Sequence, residues 1–158
     1  LIIYLSPNEF IYISVPFTLM KLDIPWSFVN VKWKQFYFLG GTRIADAAVL
    51  FEPKSYINGQ LMCLSFQFKK MLGLGRGGAI LCPNENEYNE LKRMAYDGRD
   101  DNKPWAEQNI KTIGYHYYMT PETAQLGIEK LKTAKPNKLW TSQDYPYLPE
   151  MKVFDNVF

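Results

Sequence analysis

Lys69 and Lys70 follow an apolar run, Leu61 to Phe66, and precede four glycines: Gly73, Gly75, Gly77 and Gly78. The run is short enough for a buried strand. A lysine at the end of such a strand loses hydration around its ammonium, and a neighbouring cation disfavours that charge further. The neutral amine is a nucleophile that forms a Schiff base with a carbonyl. After the glycines a second apolar run, Ala79 to Cys82, is stopped by Pro83. Upstream, Asp46 stands near the end of Thr42 to Ala47, where a buried carboxylate needs a partner. Ser65 offers a hydroxyl, and His116 is the sole histidine.

Gly73-x-Gly75-x-x-Gly78 fits the dinucleotide fingerprint, which requires a helix opening at the loop. Ala79 to Cys82 followed by proline reads as a strand instead, so nucleotide binding at this loop is set aside. The glycines let the backbone turn tightly behind the lysine. Arg76, within that loop, is open to contact with an anion or to solvent.

The elements that must position these residues follow from pattern. Leu1 to Leu5 and Phe10 to Val15 read as strands separated by a Ser-Pro-Asn-Glu turn. Phe17 to Val31 is ambiguous, and Lys32 to Phe38 is aromatic enough to lead into a strand. Gly40-Gly41 is a turn, Thr42 to Ala47 a buried strand, and Glu52 to Gln60 a polar loop. Asn84 is a helix N-cap with Glu85 and Glu87 at the positive end of the dipole. Tyr88, Leu91 and Ala95 share a face of that helix, which ends at Asp97-Gly98. Thr120-Pro121 opens another helix, with Ala124, Gly127, Ile128 and Leu131 as its buried stripe. Strands alternating with helices indicate an α/β layer fold.

Ser65-Phe-Gln-Phe-Lys-Lys70 and the glycines after it resemble the lysine segment of the DegT/DnrJ/EryC1/StrS sugar aminotransferases. Ile44-Ala-Asp46-Ala-Ala48 resembles that family's aspartate segment. Gly114-Tyr-His-Tyr-Tyr-Met119 and the helix after it resemble its glycine-tyrosine-asparagine-tyrosine-arginine-methionine segment. The three blocks fall in the family's order and cover roughly residues 40 to 132.

The resemblance implies part of the large domain of a fold-type I pyridoxal-phosphate-dependent transferase, a mixed, mostly parallel sheet with flanking helices. Residues 1–135 would be the partial domain and 136–158 an extended C-terminal arm. Lys70, five residues after Ser65, would carry pyridoxal 5'-phosphate, and Asp46 would pair with its pyridine nitrogen. Ser65 would donate to its phosphate. His116, in place of the family's asparagine, would reach the phosphate in a neighbouring subunit, the alternative being a surface or interface histidine. Val49 replaces a glutamine near the ring, Gln67 a histidine and Tyr118 an arginine. The implied activity is transamination of a nucleotide-linked keto-sugar with an amino acid as donor, in a homodimer with a shared active site. The competing reading is a truncated, non-catalytic member acting as a binding or assembly subunit, since a typical member is more than twice this length.

The bulk numbers agree with one globular domain. The 158 residues are 47% apolar and 16% aromatic, which excludes disorder. A net charge of +2 is too small to argue for nucleic acid. Cys63 and Cys82, without a CxxC pattern, read as a reduced buried pair in a cytosolic protein. A single histidine makes a cysteine-histidine zinc site improbable, so no metal is expected. The start, Leu-Ile-Ile-Tyr, has no Met and no basic stretch; it suggests a fragment rather than a signal peptide. No apolar run reaches membrane-spanning length, and a cytoplasmic protein is expected.

Overall fold

The computed structural model describes residues 5–136 and 138–155. It is mixed α/β, with α1 (Ser14–Lys21), β1 (Tyr37–Phe38), β2 (Ile44–Asp46), β3 (Leu61–Ser65), β4 (Gly78–Leu81), α2 (Glu85–Ala95) and α3 (Pro121–Leu131) in chain order. The strands form one sheet in the order β1-β2-β3-β4. The parallel pair, β2 with β3, lies at its centre, and both edge pairings are antiparallel. The sheet is mixed, as expected, but parallel pairing does not predominate among these strands. The β1–β2 and β3–β4 connections are hairpin-like and carry no crossover, so they can return only antiparallel.

The chain divides into two compact units: Leu1–Leu81 with Lys135–Phe158, and Cys82–Ala134. The first unit holds the sheet. Met62 and Leu64 of β3 are buried with Ala47, which by strand alternation turns Cys63 and Ser65 to the opposite face. The larger core gathers Ile11, Leu19, Trp26, Trp33, Tyr37, Leu148 and Phe154. Residues after 135 enter this core. Gln35 N donates to Trp140 O at 2.8 Å, Ser142 N to Trp33 O at 3.1 Å, and Trp140 N to Gln35 Oε1 at 2.8 Å. Phe154 meets Trp26 and Phe28 edge-on, with ring centroids 5.9 and 5.2 Å apart.

Phe10 to Val15 is not a strand: α1 begins at Ser14. Its β-branched residues favour strand locally, but Pro16 falls in the first helical turn, where its missing N–H is no loss, and it is buried with Leu19. Burial of that face decides the conformation over propensity. Of the first expected strand, residues 1–4 lie outside the described residues, while Leu5 bridges Trp26 and Ser6 bridges Gly40.

In the second unit, Asn84 caps α2 by accepting from Glu87 N, and Thr120 caps α3 by accepting from Thr123 N. The backbone then folds back on itself: Tyr115 N donates to Met94 O, Asp97 N to Tyr115 O and Tyr117 N to Ala95 O. A Cβ on Gly114 would stand 1.9 Å from Gly98 N, so glycine is required where these segments cross. The expected buried stripe of α3 is not buried. Neither α2 nor α3 has a buried residue, and Ile128 and Leu131 are more than half exposed. No helix among the described residues is long and apolar enough to cross a membrane.

Candidate active site

Strand register brings the chemistry of the first unit together. The register of the β1–β2 pair sets Tyr37 opposite Asp46. Asp46 stands opposite Cys63 across the parallel pair, and Ser65 lies two residues further along the same face of β3. Asp46 and Ser65 thus occupy the carboxyl ends of adjacent parallel strands, where open α/β sheets place their ligands. Opposite Ser65 is Gly78, whose added Cβ would sit 2.3 Å from Leu64 O. Only glycine allows β4 to close the loop this tightly. Past β3, Lys70 N donates to Gln67 O at 2.8 Å, completing a turn that carries both lysines, and β4 departs as a strand. The absence of a helix at Gly78 excludes the dinucleotide reading of the glycine loop.

Asp46, Ser65 and Lys70 line one cleft of about 530 Å³, within the range of small-molecule sites. Apolar walls come from Trp33, Val49 and Trp140. Lys70 is half-buried, with Nζ 5.7 Å from the Trp140 ring centre. Lys69 borders the cleft from an exposed position, with Nζ 5.5 Å from the Phe68 ring. The segment is a turn and not an extended strand here, so the expected alternation does not hold: both lysines border the cleft and differ only in burial. Arg76 is exposed and outside the cleft lining.

Asp46 is held on both oxygens. Tyr37 donates its hydroxyl to Oδ2 at 2.5 Å, and Ala48 N donates to Oδ1 at 3.0 Å. Each oxygen keeps a lone pair free. Burial lowers the Lys70 pKa, and the negative charge of Asp46 partly opposes this. Burial, and then Asp46, carry the Tyr37 hydroxyl far above its usual range and push the Cys63 thiol up to about 11. Tyr145, on the same cleft, rises to about 12, through burial first and then Asp46 and Asp144. Both cysteines are free and only partly buried.

His116 belongs to the second unit and lines no part of that cleft. Its side chain is 71% exposed. Nδ1 lies 2.9 Å from Asp97 Oδ2, and Nε2 lies 2.8 Å from the Tyr118 hydroxyl. The carboxylate accepts only from a protonated Nδ1, so Nε2 accepts from Tyr118 in the neutral ring. Both ring nitrogens are engaged.

Tyr37, Trp140 and Tyr145 were not among the expected site residues. For Tyr37 the glycine turn misdirects: a hairpin centred on Gly40-Gly41 would pair it with Ile44, whereas the observed register sets it opposite Asp46. For Trp140 and Tyr145 no signal existed, because their places follow from pairing with residues about a hundred positions away.

The model of the DegT/DnrJ/EryC1/StrS aminotransferase family matches residues 57–139, which include Ser65, Lys70 and His116. No curated protein matches the chain. A solved structure of a Bacillus cereus ATCC 10987 protein assigned as a PLP-dependent aminotransferase is similar at 23% identity and a TM-score of 0.47, over 81% of this chain. The chain spans 32% of that protein's length. With more than half of its residues matched in one continuous stretch, the chain belongs to the DegT/DnrJ/EryC1/StrS aminotransferase family.

Proposed function

We propose that the first unit carries the cofactor site of a pyridoxal-phosphate-dependent aminotransferase acting on a nucleotide-linked keto-sugar, with an amino acid as donor. The observation that carries this reading is the meeting of Lys70, Asp46 and Ser65 in one cleft of a chain of this family. The donor set fits the group: an amine for its aldehyde, a carboxylate for its ring nitrogen, and a hydroxyl with a nearby cation, Lys69, for its phosphate. When bound, pyridoxal 5'-phosphate supplies a carbonyl for amine capture and a ring that accepts electrons.

Lys70 provides the amine. Partial burial raises its neutral fraction, which is the form that attacks a carbonyl and later takes up a proton. Asp46 stays fixed through Tyr37 and Ala48 and holds a proton on the ring nitrogen. Trp140, whose ring centre lies 5.7 Å from Nζ, shields one side of the amine from water. His116 serves a second copy of the chain in a homodimer. The exposed apolar side chains of the second unit support such a partner.

A second reading, a non-catalytic binding or assembly subunit, draws on one specific observation: both nitrogens of His116 are taken by Asp97 and Tyr118. One experiment separates the two. The 158-residue chain is mixed with pyridoxal 5'-phosphate, reduced with borohydride and digested. The aminotransferase reading expects a yellow protein with the adduct on Lys70, and no colour in Lys70→Ala. A protein that stays colourless at high cofactor concentration leaves the second reading.

A further inference from the structure

Asp46 carries two donors of different origin. The Ala48 N–H comes from two residues along its own chain, a local contact that an aspartate makes readily at the end of a strand. The Tyr37 hydroxyl comes from the neighbouring strand, where the register sets the two residues opposite each other. Tyr37 is buried, and its ring packs against Trp33 with centroids 5.4 Å apart. At 2.5 Å its bond to Asp46 Oδ2 lies at the short end of the range for a hydroxyl on a carboxylate. Burial, and then the charge of Asp46, hold the phenol far above its usual pKa. Tyr37 therefore donates throughout the working pH range and never gives up its own proton.

Other groups surround the same carboxylate. Lys70, Cys63 and Tyr145 lie close enough to feel its charge, and Lys69 and Asp144 line the same cleft. Lys70 carries the opposite charge, but an amine engaged with an aldehyde no longer offers that charge as a free ammonium. Tyr37 keeps its bond to Asp46 whatever Lys70 does, because β1 and the Trp33 ring hold it in place.

A carboxylate paired with a protonated ring nitrogen has a neutral alternative, in which the proton crosses to the carboxyl. Burial favours the neutral pair, since both charges lose hydration. A donor to the carboxylate favours the charged pair, because it stabilises the anion more than the acid. In a half-enclosed cleft the two effects compete over a single proton.

We propose that Tyr37 is a positioning residue of the cofactor site, whose hydrogen bond to Asp46 keeps the shared proton on the ring nitrogen instead of on the carboxyl. This role rests on the cofactor reading. The proton moves between one nitrogen and one oxygen, with no other reactant. A ring that keeps it keeps its capacity to accept electrons.

The test is nitrogen-15 NMR of the 158-residue chain loaded with pyridoxal 5'-phosphate labelled at its ring nitrogen. Wild type is compared at fixed pH with Tyr37→Phe, which donates nothing, and with Tyr37→difluorotyrosine, whose more acidic hydroxyl donates more strongly. In Tyr37→Phe the resonance should move toward the neutral pyridine position, the ratio of ring-bound to carboxyl-bound proton falling about tenfold. In Tyr37→difluorotyrosine it should move toward the pyridinium position. A merely structural role would not give shifts of opposite sign. If Tyr37→Phe fails to fold by circular dichroism, Tyr37→difluorotyrosine carries the test alone, and an unmoved resonance there overturns the role. An unmoved resonance in folded Tyr37→Phe, or shifts of the same sign in both variants, overturns the role of Tyr37 and leaves the cofactor reading standing if borohydride still fixes the cofactor on Lys70. A wild-type chain that forms no adduct on Lys70 overturns both.

Discussion

The two units of this chain are built on opposite economies of apolar surface. Every buried hydrophobic side chain among the described residues, from Leu5 to Phe154, lies in the first unit. The second has none, and leaves Ile113 82% exposed, Tyr117 72% and Trp105 70%. Its order comes from polar and backbone devices: two helix caps, the Gln108 side chain bonded to the Asp100 and Lys103 carbonyls, the Asp97–His116–Tyr118 chain and the Gly98–Gly114 crossing. The first unit is built around an interior that holds a cleft, and the second presents surfaces.

The sharpest way to break this contrast is by truncation. Met62 is fully buried between strands, and Met62→Ala should cost about 2–5 kcal/mol in denaturant unfolding. Ile128→Ala on α3, 57% exposed, should change stability by no more than about 0.5 kcal/mol. Equal costs would show that the second unit has an interior after all. Next in size is Gly114→Ala. The added methyl must displace the Gly98 backbone, at a cost of about 1–3 kcal/mol. Hydrogen exchange should accelerate for α2 amides while β3 amides keep their protection. Uniform acceleration would mean that the units unfold as one.

The smallest effect concerns pH and belongs to the first unit. Cys63 holds its proton more tightly folded than unfolded, so the folded state binds more protons above pH 9 and stability falls as pH rises toward 11. The loss should reach about 2 kcal/mol by pH 11. Lys70 acts in the other sense: its lowered pKa makes stability rise with pH up to its usual 10.5. The difference between wild-type and Cys63→Ala unfolding curves isolates the thiol. A difference that does not change between pH 8 and 11 removes this assignment.

What could be read beforehand was local. β3, β4, α2 and α3 lie where short apolar runs, Asn84 and Thr120-Pro121 put them, because capping and strand patterns act over a few residues. The meeting of Asp46, Ser65 and Lys70 in one cleft was implied by the family resemblance of their segments, and the parallel register of β2 with β3 is what brings the strand ends side by side. Helix α1 was not, because β-branched residues at Ile11, Ile13 and Val15 spoke for strand while burial of Pro16 and Leu19 fixed a helix. The α3 stripe was read as core by periodicity, yet periodicity records only that a face is apolar and not whether anything covers it. The wall contributed by Trp140 and Tyr145 left no trace in local pattern.

That wall sets an order of events during synthesis. Trp140 joins the cleft by bonding to Gln35, across a span that includes all of Cys82–Ala134. A ribosome-bound chain that has emerged only through the glycine loop already has its lysine and its carboxylate, but the pocket around them stands open to water. Closure of that wall over the lysine must therefore wait until residues beyond 145 have left the exit tunnel. An intervening segment that can order without a core of its own lets the distant edge arrive late.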